Sequence, residues 1–102
     1  MIRHIVLFNF KPETSDEDRR RAREAYLAMR DCEYIASIEW GDYTTSTSMR
    51  LSQRRYSHSG LMTFNSPEAF RAYAQHPLHK HFADNFHDLI EMGDAYYGDF
   101  DI

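Results

Sequence analysis

Apolar residues occupy both faces of the segment at residues 2–10, IRHIVLFNF, and this feature limits the folds that the chain can adopt. Alternation with a period of two predicts a β-strand. A strand that is apolar on both sides needs cover on both sides, for example a layer of helices against one face and a second sheet against the other. The two faces carry, respectively, Ile2, His4, Val6, Phe8 and Phe10, and Arg3, Ile5, Leu7 and Asn9.

The remaining elements follow from similar patterns. Segments 34–43 and 55–64 predict two further strands, and 95–101 predicts a short last one. A capping serine and a run of acidic residues predict a helix over about 16–30. A second helix is expected over 67–75, interrupted at His76-Pro77, because proline disfavours the helical conformation in the residue before it. A third helix then begins at Pro77, with Gly93 as its expected stop. The polar stretch from residue 44 to 54 predicts a long exposed loop.

This order of elements predicts an α+β fold of the ferredoxin-like β-α-β-β-α-β type, with helices on one face of a four-stranded antiparallel sheet. A chain of 102 residues is long enough for a single domain, spanning residues 1–102. Four apolar side chains are expected on the face that the helices leave bare, and a second copy of the same sheet would cover them. We therefore expect a homodimer, formed over Val6, Phe8, Met62 and Phe64.

Composition and charge reduce the number of function classes. The formal net charge is −4, so the chain has no basic surplus for nucleic acid. No apolar run is long enough to span a bilayer, so no membrane association is expected. A single cysteine and an alternating rather than signal-like N-terminus favour a cytoplasmic protein. Since neither a metal-binding signature nor a glycine-rich phosphate loop occurs, we expect no metal and no cofactor.

Six histidines in so short a chain are the candidates for chemistry. His4 and His58 lie on apolar strand faces, and His79 lies in the first turn of the last helix, where the helix dipole favours the neutral, basic form. Tyr73 precedes the His76-Pro77 break, and a tyrosine hydroxyl can donate to an oxygen that becomes an enolate. Gly60 leaves space for a ligand. Packing alone would also explain the two strand histidines. We expect the other three on helix surfaces: His76, His81 and His87.

The segment YSHSGLMTFNSPEAFRAYAQHPLHKHF resembles the stress-responsive dimeric A/B-barrel (Dabb) family, and the segments IRHIVLFNFKPETS, SIEWGDY and GDFD are similar to its strands. The resemblance implies a homodimer whose two sheets form one barrel. The family includes plant stress proteins, a cofactor-free polyketide cyclase and hydroxynitrile lyases. The resemblance also implies that His79 is a base, that Tyr73 is its partner, and that His4 and His58 line the same pocket. Ser59 and Gly60 depart from the branched residues usual in the family.

Three functions stay open at this point, and whether the protein is an enzyme is one of the open questions. The first is a cofactor-independent lyase or cyclase for a small carbonyl-rich or aromatic compound. His79 and Tyr73 would be catalytic in it, and the substrate would contact His4, Val6, Phe8, His58, Gly60 and Met62. The second is a non-catalytic, stress-related dimer. The third is a cofactor-free monooxygenase of the same barrel type.

Overall fold

The computed structural model describes residues 1–46 and 54–102, and most of the predicted loop at 44–54 lies outside them. Four strands form one sheet: β1 (Ile2–Phe8), β2 (Ser37–Asp42), β3 (His58–Phe64) and β4 (Tyr96–Asp101). Three α-helices connect them: α1 (Asp16–Ala28), α2 (Pro67–Ala74) and α3 (Pro77–Phe86). Among the described residues, no helix has both the length and the apolar character that a membrane span requires.

The sheet has the strand order β2-β3-β1-β4, and all neighbouring strands are antiparallel. The register places His4 opposite Met62 and Val6 opposite Gly60. These observations confirm the predicted element order and the four-stranded antiparallel ferredoxin-like arrangement. Alternation along β1 and β3 also divides the side chains between the two faces as the sequence pattern indicates.

Each helix begins at a residue that caps its first turn. The hydroxyl of Ser15 accepts a hydrogen bond from the Asp18 N–H at 3.1 Å, and the hydroxyl of Ser66 accepts one from the Ala69 N–H at 3.1 Å. His76 caps α3 with its side chain, since its Nδ1 accepts from the Leu78 N–H at 3.1 Å. The break at His76-Pro77 therefore ends one helix and starts the next.

The prediction that the last helix continues to Gly93 is wrong, because α3 ends at Phe86. Short 3₁₀ turns follow at His87–Leu89 and Met92–Asp94. Between these turns, the backbone hydrogen-bonds the residues that follow β1, and Ile90 forms a β-bridge with Phe10. These tertiary hydrogen bonds replace the ones that a longer helix would have made within itself.

The helices cover the sheet face that we expected to meet a second subunit. Phe8, Met62 and Phe64 are 3%, 2% and 0% exposed within this single chain. Aromatic side chains of α2 lie directly on Phe64, with ring centroids 5.0 Å away for Phe70 and 5.1 Å away for Tyr73. The expectation that Val6, Phe8, Met62 and Phe64 face a partner is therefore wrong. Since β1 is apolar on both sides, its pattern cannot indicate which side the helices take.

The opposite face of the sheet is left bare by this chain. Large aromatic side chains stand on it, with Tyr96 43% exposed and Phe100 46% exposed. Arg3 points to the same face, and its buried Nε has no hydrogen-bond partner among the described residues. Any partner subunit would therefore be expected on this face, which also carries Ile5, Leu7 and Leu61.

Candidate active site

A cavity of about 240 Å³ lies between the helices and the covered face of the sheet. Most of its lining is apolar, as is typical of pockets for small organic ligands. The apolar residues are Val6, Phe8, Met29, Trp40, Met62, Phe70, Ala74, Phe82, Ile90 and Met92. The polar ones are His4, Tyr26, Tyr73, His79, His87 and Tyr97.

Tyr73 and His79 meet in this cavity from either side of the helix break, with ring centroids 4.8 Å apart. The Nδ1 of His79 lies 3.0 Å from the carbonyl oxygen of Ala74. Because a carbonyl can only accept, Nδ1 carries the proton in this hydrogen bond, and the Nε2 of the neutral ring keeps its lone pair. Burial, with a smaller effect of nearby Cys32, raises the pKa of Tyr73, so its hydroxyl stays protonated and able to donate.

His4 enters the cavity from β1. Its Nδ1 donates to Oδ1 of Asp99 on β4 at 2.6 Å, and its ring meets the edge of Phe70 at a centroid distance of 5.3 Å. A carboxylate also only accepts, so the neutral form of His4 again has its free lone pair on Nε2. Three of the four residues that we expected to meet, His4, Tyr73 and His79, thus line one cavity.

His58 does not line this cavity, contrary to our expectation. In the antiparallel register His58 lies opposite Phe8, whereas His4 lies opposite Met62. The two histidines are therefore four residues apart along the sheet, or about 13 Å at the rise of a β-strand. His58 packs instead against the rings of Phe8, Phe10 and Trp40, at centroid distances of 5.5, 5.1 and 5.6 Å.

Gly60 does not line the cavity either, and the space beside it is occupied. A Cβ at this position would lie 2.5 Å from the hydroxyl oxygen of Tyr26 and 2.9 Å from Cγ1 of Val6. The glycine therefore makes room for Tyr26 rather than for a ligand. That hydroxyl is buried and has no hydrogen-bond partner among the described residues.

Three polar residues of the cavity lining were not predicted as site residues from the sequence: Tyr26, His87 and Tyr97. His87 is the most informative, because we expected it on a helix surface. It follows His79 by eight residues, a spacing that returns to the same side of a helix, and Phe82 and Phe86 mark that side as the buried one. This spacing is the signal that would have placed His87 beside His79.

One cluster of metal-ligating side chains occurs among the described residues, where ligand atoms of Cys32, Glu33 and His76 lie within 4.8 Å of one another. His76 already uses Nδ1 to accept from the Leu78 N–H. Its Nε2 therefore carries the proton and donates to Glu33 at 3.2 Å. The geometry of His76 is thus that of a helix cap, and a cation at Nε2 would have to displace that proton.

The four-stranded antiparallel sheet with helices on one face places this protein among the ferredoxin-like α+β domains, and its histidine-containing cavity lies under those helices. The chain belongs to the Dabb family of stress responsive A/B barrel domains, whose family model matches residues 2–101. A stress-response A/B barrel domain-containing protein of Arabidopsis thaliana is 28% identical over 89 residues, which cover 87% of this chain and 77% of the relative. Olivetolic acid cyclase of Cannabis sativa is 25% identical over 97 residues, covering 88% and 87% of the two chains.

Solved structures share the fold at low sequence identity. The hydroxynitrile lyase of Passiflora edulis superposes with a TM-score of 0.80 at 21% identity, covering 99% of this chain and 92% of the lyase. A dimeric ferredoxin-like protein of Thermobifida fusca gives a TM-score of 0.80 at 19% identity, covering 99% and 90%. These similarities confirm the ferredoxin-like fold.

Proposed function

We propose that the protein is a cofactor-independent lyase or cyclase that acts on a small, largely apolar carbonyl or aromatic compound. The observation that carries the proposal is the pair of Tyr73 and His79 in the cavity, with ring centroids 4.8 Å apart. In a cyclase reaction, the Nε2 of His79 takes a proton from the carbon next to a carbonyl. In a lyase reaction, it takes the proton of the hydroxyl on the carbon whose C–C bond breaks. The oxygen of the resulting enolate or alkoxide accepts a hydrogen bond from the Tyr73 hydroxyl. The enolate carbon attacks a second carbonyl, whose oxygen takes the proton back from His79. The alkoxide instead becomes a carbonyl, and the leaving group takes the electron pair of the broken C–C bond and the proton from His79.

Two similar proteins support this class of reaction. Olivetolic acid cyclase is named as a cyclase and the Passiflora protein as a hydroxynitrile lyase. Both reaction types need a group that moves a proton and a donor for an oxygen that gains negative charge. The apolar walls favour a ligand whose body is hydrocarbon, since ten of the sixteen lining residues are apolar.

The proposal includes a homodimer in the cytoplasm. Two features of the bare sheet face support the dimer: its exposed aromatic residues Tyr96 and Phe100, and the buried Nε of Arg3 that lacks a partner within the described chain. The Thermobifida protein is described as dimeric. A single, buried cysteine supports a reducing compartment. Light scattering at micromolar concentration tests the dimer, and a monomeric mass would contradict it.

Turnover by the purified protein tests the reaction class. Mandelonitrile serves as the probe for lyase activity, and a linear β-polyketo thioester serves as the probe for cyclisation. We expect the wild-type protein to turn over at least one of them. His79→Ala should lower kcat by about 10²–10⁴-fold, because it removes a general base.

His81→Ala is the matched control, because His81 is an exposed histidine on the same helix and does not line the cavity. It should keep wild-type turnover, and the melting temperatures of both variants should stay close to that of the wild type. Wild-type protein inactive on both probes, or a His79→Ala variant with full turnover, would contradict the proposal.

A further inference from the structure

His87 occupies a position that the reaction proposed above does not use. It is the first residue after α3, and its ring lines the cavity beside those of Phe82 and His79. The centroid of the His87 ring lies 5.9 Å from that of Phe82 and 6.5 Å from that of His79. Tyr73, His79 and His87 therefore form a row of three polar rings, with His79 in the middle.

The spacing within this row leaves a second polar position in the cavity. The ring centroids of His79 and His87 lie 6.5 Å apart, so the two imidazoles border neighbouring parts of the same cavity. The spacing between Tyr73 and His79 is shorter, at 4.8 Å. A ligand oxygen that accepts from the Tyr73 hydroxyl beside His79 leaves the imidazole of His87 for a second oxygen.

The surroundings of His87 favour its neutral form. Burial lowers the pKa of this imidazole, nearby His79 lowers it further, and the neighbouring carboxylate of Asp88 raises it by less. Two titratable groups line the cavity from the sheet side: His4 of β1 and Tyr97 of β4. A neutral imidazole offers one N–H donor and one lone pair, so it can bind either a carbonyl or a hydroxyl.

We propose that His87 is a specificity-determining residue, whose imidazole hydrogen-bonds a second oxygen function of the ligand, next to the one that accepts from the Tyr73 hydroxyl. This inference rests on the proposed function, because it requires an organic ligand in the same cavity. It makes the ligand class narrower: an apolar body with two neighbouring oxygen functions, such as a 1,3-diketone or its enol, in place of a simple ketone.

Two probes that differ by one oxygen test the role of His87. Benzoylacetone carries two carbonyl groups and butyrophenone carries one, on nearly the same apolar body. Calorimetric titration at pH 7.5 should show that the wild-type protein binds benzoylacetone about five- to tenfold more tightly, as expected for one additional hydrogen bond. His87→Leu should remove this preference and keep the affinity for butyrophenone. His87→Gln, which retains a donor and an acceptor, should restore part of it.

The control and the other outcomes separate the two proposals. His81→Leu, on the exposed side of α3, should keep the full preference for benzoylacetone. A preference that survives in His87→Leu, or equal binding of both probes by the wild type, overturns the role of His87 and leaves the proposed function standing. Binding of neither probe by the wild type overturns the role of His87 and also the carbonyl-ligand part of the proposed function.

Discussion

Two histidine–aspartate pairs lie at opposite ends of the helix-covered sheet face, and they differ in what surrounds them. His4 donates to Asp99 at 2.6 Å, and His58 pairs with Asp42 at 2.9 Å. Both use Nδ1, and both side chains are mostly buried, at 22% and 18% exposed. In each pair the aspartate lies on an edge strand next to the strand of the histidine.

The two ends differ in the residues that surround each histidine–aspartate pair and not in the pair itself. His58 has three aromatic rings within 5.6 Å between centroids, and the space around it is filled. His4, by contrast, has a ring contact with Phe70 and borders the cavity. A polar pair next to free space can act on a ligand, whereas the same pair in a packed cluster contributes to stability. A histidine–carboxylate pair therefore indicates a site only together with open volume.

The largest expected effect contrasts the two histidines directly. His58→Ala should lower the free energy of unfolding by about 2 kcal/mol, because it leaves a void among three rings and removes a hydrogen bond to the Asp42 carboxylate. His4→Ala should cost less than about 1 kcal/mol, since its side chain already borders a cavity. Urea denaturation measures both values. Ligand affinity should respond in the opposite order, and a His4→Ala variant less stable than His58→Ala would contradict the comparison.

Gly60 lies between the two ends, and its substitution should have the next largest effect. Gly60→Ala should destabilise the protein by about 1–2 kcal/mol, because the new Cβ would lie 2.5 Å from the Tyr26 hydroxyl oxygen. Thermal unfolding measures this change. Adding Tyr26→Phe should recover part of the loss, since it removes that oxygen. If the double variant is no more stable than Gly60→Ala, contact with Val6 or with the Tyr26 ring, and not with the Tyr26 hydroxyl, requires the glycine.

The smallest expected effect is a difference in pH dependence between the two ends. Burial lowers the pKa of His87 at the cavity end, so the stability from this group is complete above its ordinary value of 6.5 and decreases as the pH falls below it. At the other end burial alone would raise the pKa of Asp42, but hydrogen bonds from His58 and Trp40 outweigh it and lower the value. The Asp42 contribution is therefore complete above about pH 4 and is lost only in stronger acid.

Unfolding measured between pH 7.5 and 5 should isolate the cavity end. His87→Gln should flatten the decrease of stability in this range, while Asp42→Asn should leave its slope unchanged. His81→Gln is the control for removing one histidine of α3. An identical slope in His87→Gln and wild-type protein would show that His87 does not titrate as its burial implies.

The sequence pattern was sufficient for the element order and for the break that brings Tyr73 and His79 together, because capping residues and proline act locally. It was insufficient for the two faces of β1, since both are apolar and helix docking depends on distant aromatic residues. The position of His58 depends on the strand register, which alternation alone does not give. His87 could have been placed from the sequence, because its spacing of eight residues from His79 puts it on the side that Phe82 and Phe86 mark as buried.

The acceptor that orients His79 is a by-product of the interrupted helix. In a continuous helix the carbonyl of Ala74 would accept from the N–H four residues later, which is that of Leu78. That N–H donates to the His76 side chain instead, and the Ala74 carbonyl is left for His79. The hydrogen bond that orients this imidazole thus comes from the backbone of residues 73–79, where the side chain of His76 takes the N–H that would have bonded the Ala74 carbonyl. A protein engineer who wished to move this base to another scaffold would need to transplant the whole seven-residue block.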